Sequence, residues 1–100
     1  MTVRAGPTAR DRRRRREKRE RQYKVACAEV DIRDGPQCRA CRMWVGDAAH
    51  HHHLTYRSHG GLHTVHNLVK LCPRCHELVH RRRLLVSGTT AETVEFEVVE

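Results

Sequence analysis

The stretch that decides the fold reads His52-His53-Leu54-Thr55-Tyr56-Arg57-Ser58-His59-Gly60-Gly61. It resumes five residues later as Asn67-Leu68-Val69-Lys70-Leu71-Cys72-Pro73-Arg74-Cys75-His76-Glu77-Leu78-Val79-His80. It contains the pair Cys72-x-x-Cys75. A first pair, Cys38-x-x-Cys41, stands thirty residues upstream of the second. Thiolates two positions apart in a tight turn can both point at one ion. Two such turns close a tetrahedral sulfur shell, the arrangement that suits structural Zn2+. A closed shell leaves no position for substrate, so Cys38, Cys41, Cys72 and Cys75 are assigned to folding rather than chemistry. Two redox-active or unpaired cysteine pairs are the competing reading. Cys27 is left over and reads as a thiol outside the cluster.

The nine histidines all lie between His50 and His80, four of them in the run 50–53. Neutral imidazole accepts a proton near cellular pH, and it also ligates divalent metals. His76 and His80 are four residues apart, so on a helix they share one face. Two helical histidines and a third from a strand would hold an ion and leave positions open, which is what catalysis requires. Phosphodiester cleavage needs an activated water, charge neutralisation at phosphorus and stabilisation of the departing oxygen. A divalent cation beside a histidine base can meet those needs.

In the order His-His-Leu, Arg-Ser-x-Gly-Gly, Asn-Leu and Leu-Cys-x-x-Cys-His, these residues resemble the HNH endonuclease family, in the branch with two CxxC pairs. The resemblance covers residues 38–80. It implies a small α+β fold: a ββα-metal finger stapled by the four-cysteine zinc site, with a basic N-terminal helix and a C-terminal strand pair. Carried onto this chain, it places His53 as general base and His52, His76 and His80 as ligands of a catalytic divalent ion. Asn67 becomes the residue that fixes the loop orienting the base. Many zinc-stapled members have Asp where His52 stands. An all-histidine shell accepts Zn2+, Ni2+ or Mn2+, whereas a carboxylate favours Mg2+, so all four metals stay open. Asn67 reads equally as a helix N-cap, Arg57 as a phosphate contact or a solvated side chain, and Gly60-Gly61 as a backbone device for positive φ. His50 and His51 are expected to face solvent or to support the ligands. His59, His63 and His66 are expected as exposed loop residues or phosphate contacts.

Only 38% of the 100 residues are hydrophobic, too few for a domain of this size to rely on an apolar core alone. No apolar run suggests a signal peptide or a membrane span, so a reducing, cytoplasmic setting is expected, where paired cysteines more often bind metal. The net charge of +8 is one-sided. Residues 1–24 hold eleven Lys/Arg against three Asp/Glu, and the remainder balances at nine each. Residues 1–26 are therefore set apart as a basic arm, and residues 27–100 as the nuclease domain. Residues 1–8 are expected to be disordered. A helix frayed at its start is expected from Ala9 to about Val30, ended by Asp34-Gly35-Pro36. A strand is expected over 48–54, a loop over 55–66, a helix from Pro73 to about Arg82, and strands at 84–86 and 93–99. Arg12, Arg13, Arg14, Arg15 and Arg16 form a single-sign cationic run whose natural partner is a phosphate backbone, with Arg81 to Arg83 extending the same surface.

Taken together, the sequence reads as a metal-dependent endonuclease acting on DNA, nicking it or cutting both strands, of phage or mobile-element type. RNA stays open as a substrate. The alternative is a non-catalytic zinc module that binds nucleic acid, or a subunit of a larger nuclease or packaging complex. A homodimer is also left open.

Overall fold

The computed structural model describes residues 5–99. The first helix, α1, runs Ala9–Asp34 and is followed by a strand β1 at His50–His53, a strand β2 at Leu68–Leu71 and a helix α2 at Pro73–His80. Strands β3 (Leu84–Ser87) and β4 (Glu95–Val98) close the chain. Single 3-10 turns occupy Gly46–Ala48, Arg57–His59 and Val65–Asn67. Among the described residues the structure is a small α+β arrangement of two helices and two antiparallel two-stranded sheets, β1-β2 and β3-β4.

The start of α1 is capped rather than frayed. Thr8 Oγ1 accepts from the Asp11 backbone N–H at 3.1 Å, and Asp11 Oδ2 accepts from the Thr8 N–H at 3.2 Å. This reciprocal pair satisfies two of the donors that a helix start leaves orphaned. The expectation of disorder for residues 1–4 lies outside the described residues. The helix also continues four residues beyond Val30, so the expected domain boundary after residue 26 falls within it. Gly35, at φ +64°, ends the helix and returns its N–H to the Asp31 carbonyl.

Every residue of α1 before Tyr23 is exposed, whereas Ala26 and Val30 are buried. Those two pack with Leu68 of β2, joined by Tyr23 and Val65. Polar contacts clamp the same end. Arg33 Nη1 and Nη2 donate to the carbonyls of Val65 and Leu68 at 2.5 and 2.6 Å. The Asp34 carboxylate, almost wholly buried, accepts from Arg33, from Arg39 and from the Lys70 backbone N–H. Asp31 takes both Lys70 Nζ and His51 Nε2 at 2.8 Å. The C-terminal end of α1 is part of the folded unit.

β2 is buried along its whole length because it is covered on both faces. Leu68 packs toward α1, and Lys70 is paired there. Val69 and Leu71 belong to a second core with Cys38, Cys75, Leu84 and Ala91, covered by Leu54, Leu78, Val79 and Phe96. The β1-β2 register pairs His50 with Leu71, His51 with Lys70, His52 with Val69 and His53 with Leu68. Cross-strand partners share a face. His51 and His53 therefore face α1, while His50 and His52 face α2. Within β4 the alternation is weaker than its sequence suggests: Phe96 is half-buried but Val98 is 73% exposed. Among the described residues no helix is long and apolar enough to cross a membrane.

Candidate metal centres and catalytic site

Two tight turns bring the four cysteines together, with their Sγ atoms all within 4.8 Å of one another. The Cys41 and Cys72 sulfurs are 3.8 Å apart. A tetrahedral ion with metal–sulfur bonds of ~2.3 Å separates its thiolates by about 3.8 Å, so the donor set fits such an ion. Backbone N–H groups point at the sulfurs, Cys41 N–H to Cys38 at 3.5 Å and Cys75 N–H to Cys72 at 3.3 Å. The second contact also caps α2, with Pro73 at its first turn. A single turn thus both ligates and starts the helix that carries His76. Burial raises the Cys38 thiol, but N–H donors from Cys41, Cys72 and Ala40 outweigh it and bring the group to about 7. Burial and hydrogen bonding to the other three cysteines push Cys75 upward. Cys27 stands outside this cluster, half-buried on α1.

The second cluster joins His52, His76 and His80, each offering a ring nitrogen within the same 4.8 Å spread. The Nε2 atoms of His76 and His80 are 3.1 Å apart. Two nitrogens on one tetrahedral ion at ~2.05 Å would lie about 3.3 Å apart, close to this value. His52 is 5% exposed. Burial, and then the neighbouring His76, His80 and His53, lower it to about 4. His76 is lowered by burial and by His50 and His80. Both rings are therefore neutral near pH 7, the form that can ligate a metal. A hollow of about 410 Å³ opens beside His52, bounded by Tyr56, His59, Val79 and Arg82.

His53 does not join this cluster. Pointing the other way, its ring stacks on Tyr23 of α1 (centroids 5.8 Å apart, planes 12° apart). Its Nε2 is bonded to His63 Nδ1 at 3.0 Å. Burial, with the charges of His63 and Arg57, lowers His53, which is also neutral near pH 7. A second hollow, of about 520 Å³, lies here and includes Arg57. The loop after β1 lines both hollows, with Tyr56 and His59 in one and Arg57 and His63 in the other.

Asn67 sits at the end of a 3-10 turn, 8% exposed, and its side chain clasps that loop. Oδ1 accepts from the Thr55 N–H at 2.8 Å, and Nδ2 donates to the carbonyls of Thr55 and Leu62 at 3.0 and 2.9 Å. It is not a helix N-cap. Gly60 adopts φ +84°, as the loop reading expects, but Gly61 is required for a different reason. A Cβ there would collide with the Thr55 carbonyl.

His50 is exposed and stacks on His76 with centroids 4.6 Å apart. The partners of three other histidines were not foreseen from the sequence. His51 is tied to Asp31, His63 is the partner of His53, and His66 Nδ1 meets Glu92 Oε1 at 2.7 Å. Strand alternation within the run 50–53 was the available signal. Arg12 to Arg16 lie exposed on α1, Arg13 pairing with Glu17 and Arg12 reaching the Pro7 carbonyl. Arg81 pairs with Glu77 at 2.8 Å.

The family model described as HNH endonuclease matches residues 38–82. A curated protein named Anaredoxin, from Nostoc sp. (strain PCC 7120 / SAG 25.82 / UTEX 2576), is 34% identical over 71 residues. Those residues cover 70% of this chain and 91% of that protein. No solved structure matches the chain significantly.

Proposed function

The chain belongs to the HNH endonuclease family, and from that membership we propose that it is a metal-dependent endonuclease hydrolysing phosphodiester bonds in DNA. The observation that carries the reading is the convergence of His52, His76 and His80 from a strand and a helix beside an open hollow. In this reading β1, β2 and α2 form the ββα-metal unit. His52, His76 and His80 hold a divalent ion, and Cys38, Cys41, Cys72 and Cys75 hold a structural zinc.

When bound, the divalent ion supplies charge stabilisation for the phosphate and the leaving oxygen. The chain's own residues do the rest. His53 is the proton acceptor for water, kept neutral by burial and by the Arg57 guanidinium, and oriented by His63. Asn67 holds the loop that carries His63 and Arg57. Because His52 and His53 face opposite sides of β1, the phosphodiester lies across the unpaired edge of that strand, between the two hollows.

A second reading is a non-catalytic zinc module that binds nucleic acid. The separation of His53 from the histidine cluster favours it. Plasmid nicking with Mg2+, Mn2+, Ni2+ or Zn2+ decides between them. The parent should convert supercoiled DNA to open circles with at least one of these ions. His53→Ala should be slower by at least a hundredfold, the low end of a general base's usual contribution. A parent that cuts nothing, or a variant as fast as the parent, overturns the catalytic reading.

A further inference from the structure

The hollow around His53 has a wall that the histidine and cysteine motifs do not contain. Arg16, Arg19 and Tyr23 of α1 line it, facing Arg57 and His63 of the loop, with His53 between them. Three guanidiniums meet there against a single carboxylate, that of Glu20. Among the described residues, Arg16, Arg19 and Arg57 enter no ion pair and donate no side-chain hydrogen bond to protein. The field at the site is felt by its own members. His63 is lowered by burial and then by Arg57 and Arg19.

The position of this wall is built into the fold. Asp31, Arg33 and Asp34 fix the C-terminal end of α1, and Ala26 and Val30 fix its rotation against Leu68. Helical spacing then puts positions 16, 19 and 23 on one side, one to two turns beyond the packed segment. A helix is stiff over that length, so the two arginines, though exposed, are carried to the rim of the hollow. Unpaired guanidiniums in a fixed fork geometry are suited to phosphate oxygens.

We propose that this hollow is a subsite for a DNA backbone phosphate next to the one being cut, with α1 as one wall of the active site. Arg16, Arg19 and Arg57 hold that phosphate, and Tyr23 supports the His53 ring from below. The proposal rests on the endonuclease reading for the word "cut", but the subsite itself is a binding statement. The part of α1 before the subsite, residues 9–15, adds about 10 Å of cationic helix leading away from it. That length spans roughly three nucleotides of a duplex strand at ~3.4 Å each.

The test compares two double variants of equal charge change. Arg16→Gln/Arg19→Gln removes the wall. Lys18→Gln/Arg21→Gln removes two cations from the far side of α1, at neighbouring heights, and neither lines the hollow. All four side chains are exposed and glutamine is a good helix former, so both proteins fold. The probe is a fluorescein-labelled 16-base-pair DNA duplex of mixed sequence, followed by anisotropy across a salt series, alongside nicking kinetics. With a slope near −0.9 per phosphate, each lost contact costs about eightfold at ~0.1 M salt. Binding by the wall variant should therefore weaken by roughly tenfold to sixtyfold and its salt slope should fall by one to two. The far-side variant should change binding less than about threefold, and Arg16→Lys/Arg19→Lys should recover most of the loss. Equal weakening by the two glutamine variants overturns the subsite and leaves the arm a diffuse cation. If the parent cuts no DNA but the wall variant alone loses binding, the endonuclease reading fails and the subsite stands.

Discussion

Replacing Asn67 tests the link between the loop and the base most directly. The side chain is 8% exposed and makes three hydrogen bonds, two to Thr55 and one to Leu62. A net bond is worth about 1 kcal/mol, and a partly buried partner left unpaired adds to the loss. Leu62 is exposed, so water can replace its contact. The Thr55 N–H and carbonyl are half-buried and cannot be rehydrated as freely. Asn67→Ala should therefore cost about 2–4 kcal/mol. If the loop opens with the whole domain, that corresponds to a fall in Tm of roughly 10–25 °C for a chain of this size. If it opens locally, hydrogen exchange at the Thr55 amide should quicken by about thirtyfold or more. Asn67→Asp keeps the acceptor for Thr55 but turns an anionic oxygen toward two carbonyls, so it should fare no better than alanine at pH 7. Both variants should lose nicking activity while keeping the sulfur-bound metal. Thermal melts, amide exchange and metal content measure this. A Tm within about 3 °C of the parent, with slow Thr55 exchange, would refute the clasp.

The two clusters should respond differently to substitution. Cys38→Ser or Cys72→Ser should unfold the domain and release its bound metal, because thiolate coordination supports a core this small; native circular dichroism with full metal content would contradict that. His76→Ala should abolish nicking while leaving Tm within a few degrees, and a grossly unfolded variant would move His76 to a structural role. Asp34 carries a pH-dependent contribution: burial alone would raise its carboxyl, but Arg33, Arg39 and the Lys70 N–H hold it below its usual value. A lowered folded value means the stabilisation is present above the unfolded value near ~4 and lost as pH falls through the folded one. Asp34→Asn should therefore melt several degrees below the parent at pH 7, with the gap narrowing in acid; a gap independent of pH would count against the charged pairing.

The cysteine pairs, the His76–His80 spacing and the turn residues around Gly60 are local features. Their geometry follows from a few consecutive residues, whereas the meeting of Cys38 and Cys41 with Cys72 and Cys75, and of His52 with His76 and His80, is a tertiary event. So too the helical character of residues 9–30 follows from its composition, although the cap at Thr8 and the last four residues to Asp34 needed the structure to be seen. The run His50 to His53 carried only half of its meaning. Alternation says that neighbours face opposite ways, but not what covers each face. That was decided when α1 packed on Leu68 and α2 on Val69. The same packing assigned His63 to His53, Asp31 to His51, and two arm arginines to the hollow beside the base. Contacts between residues ten to forty positions apart depend on the placement of whole elements, and the physical reason is that no local propensity encodes the side on which a helix docks.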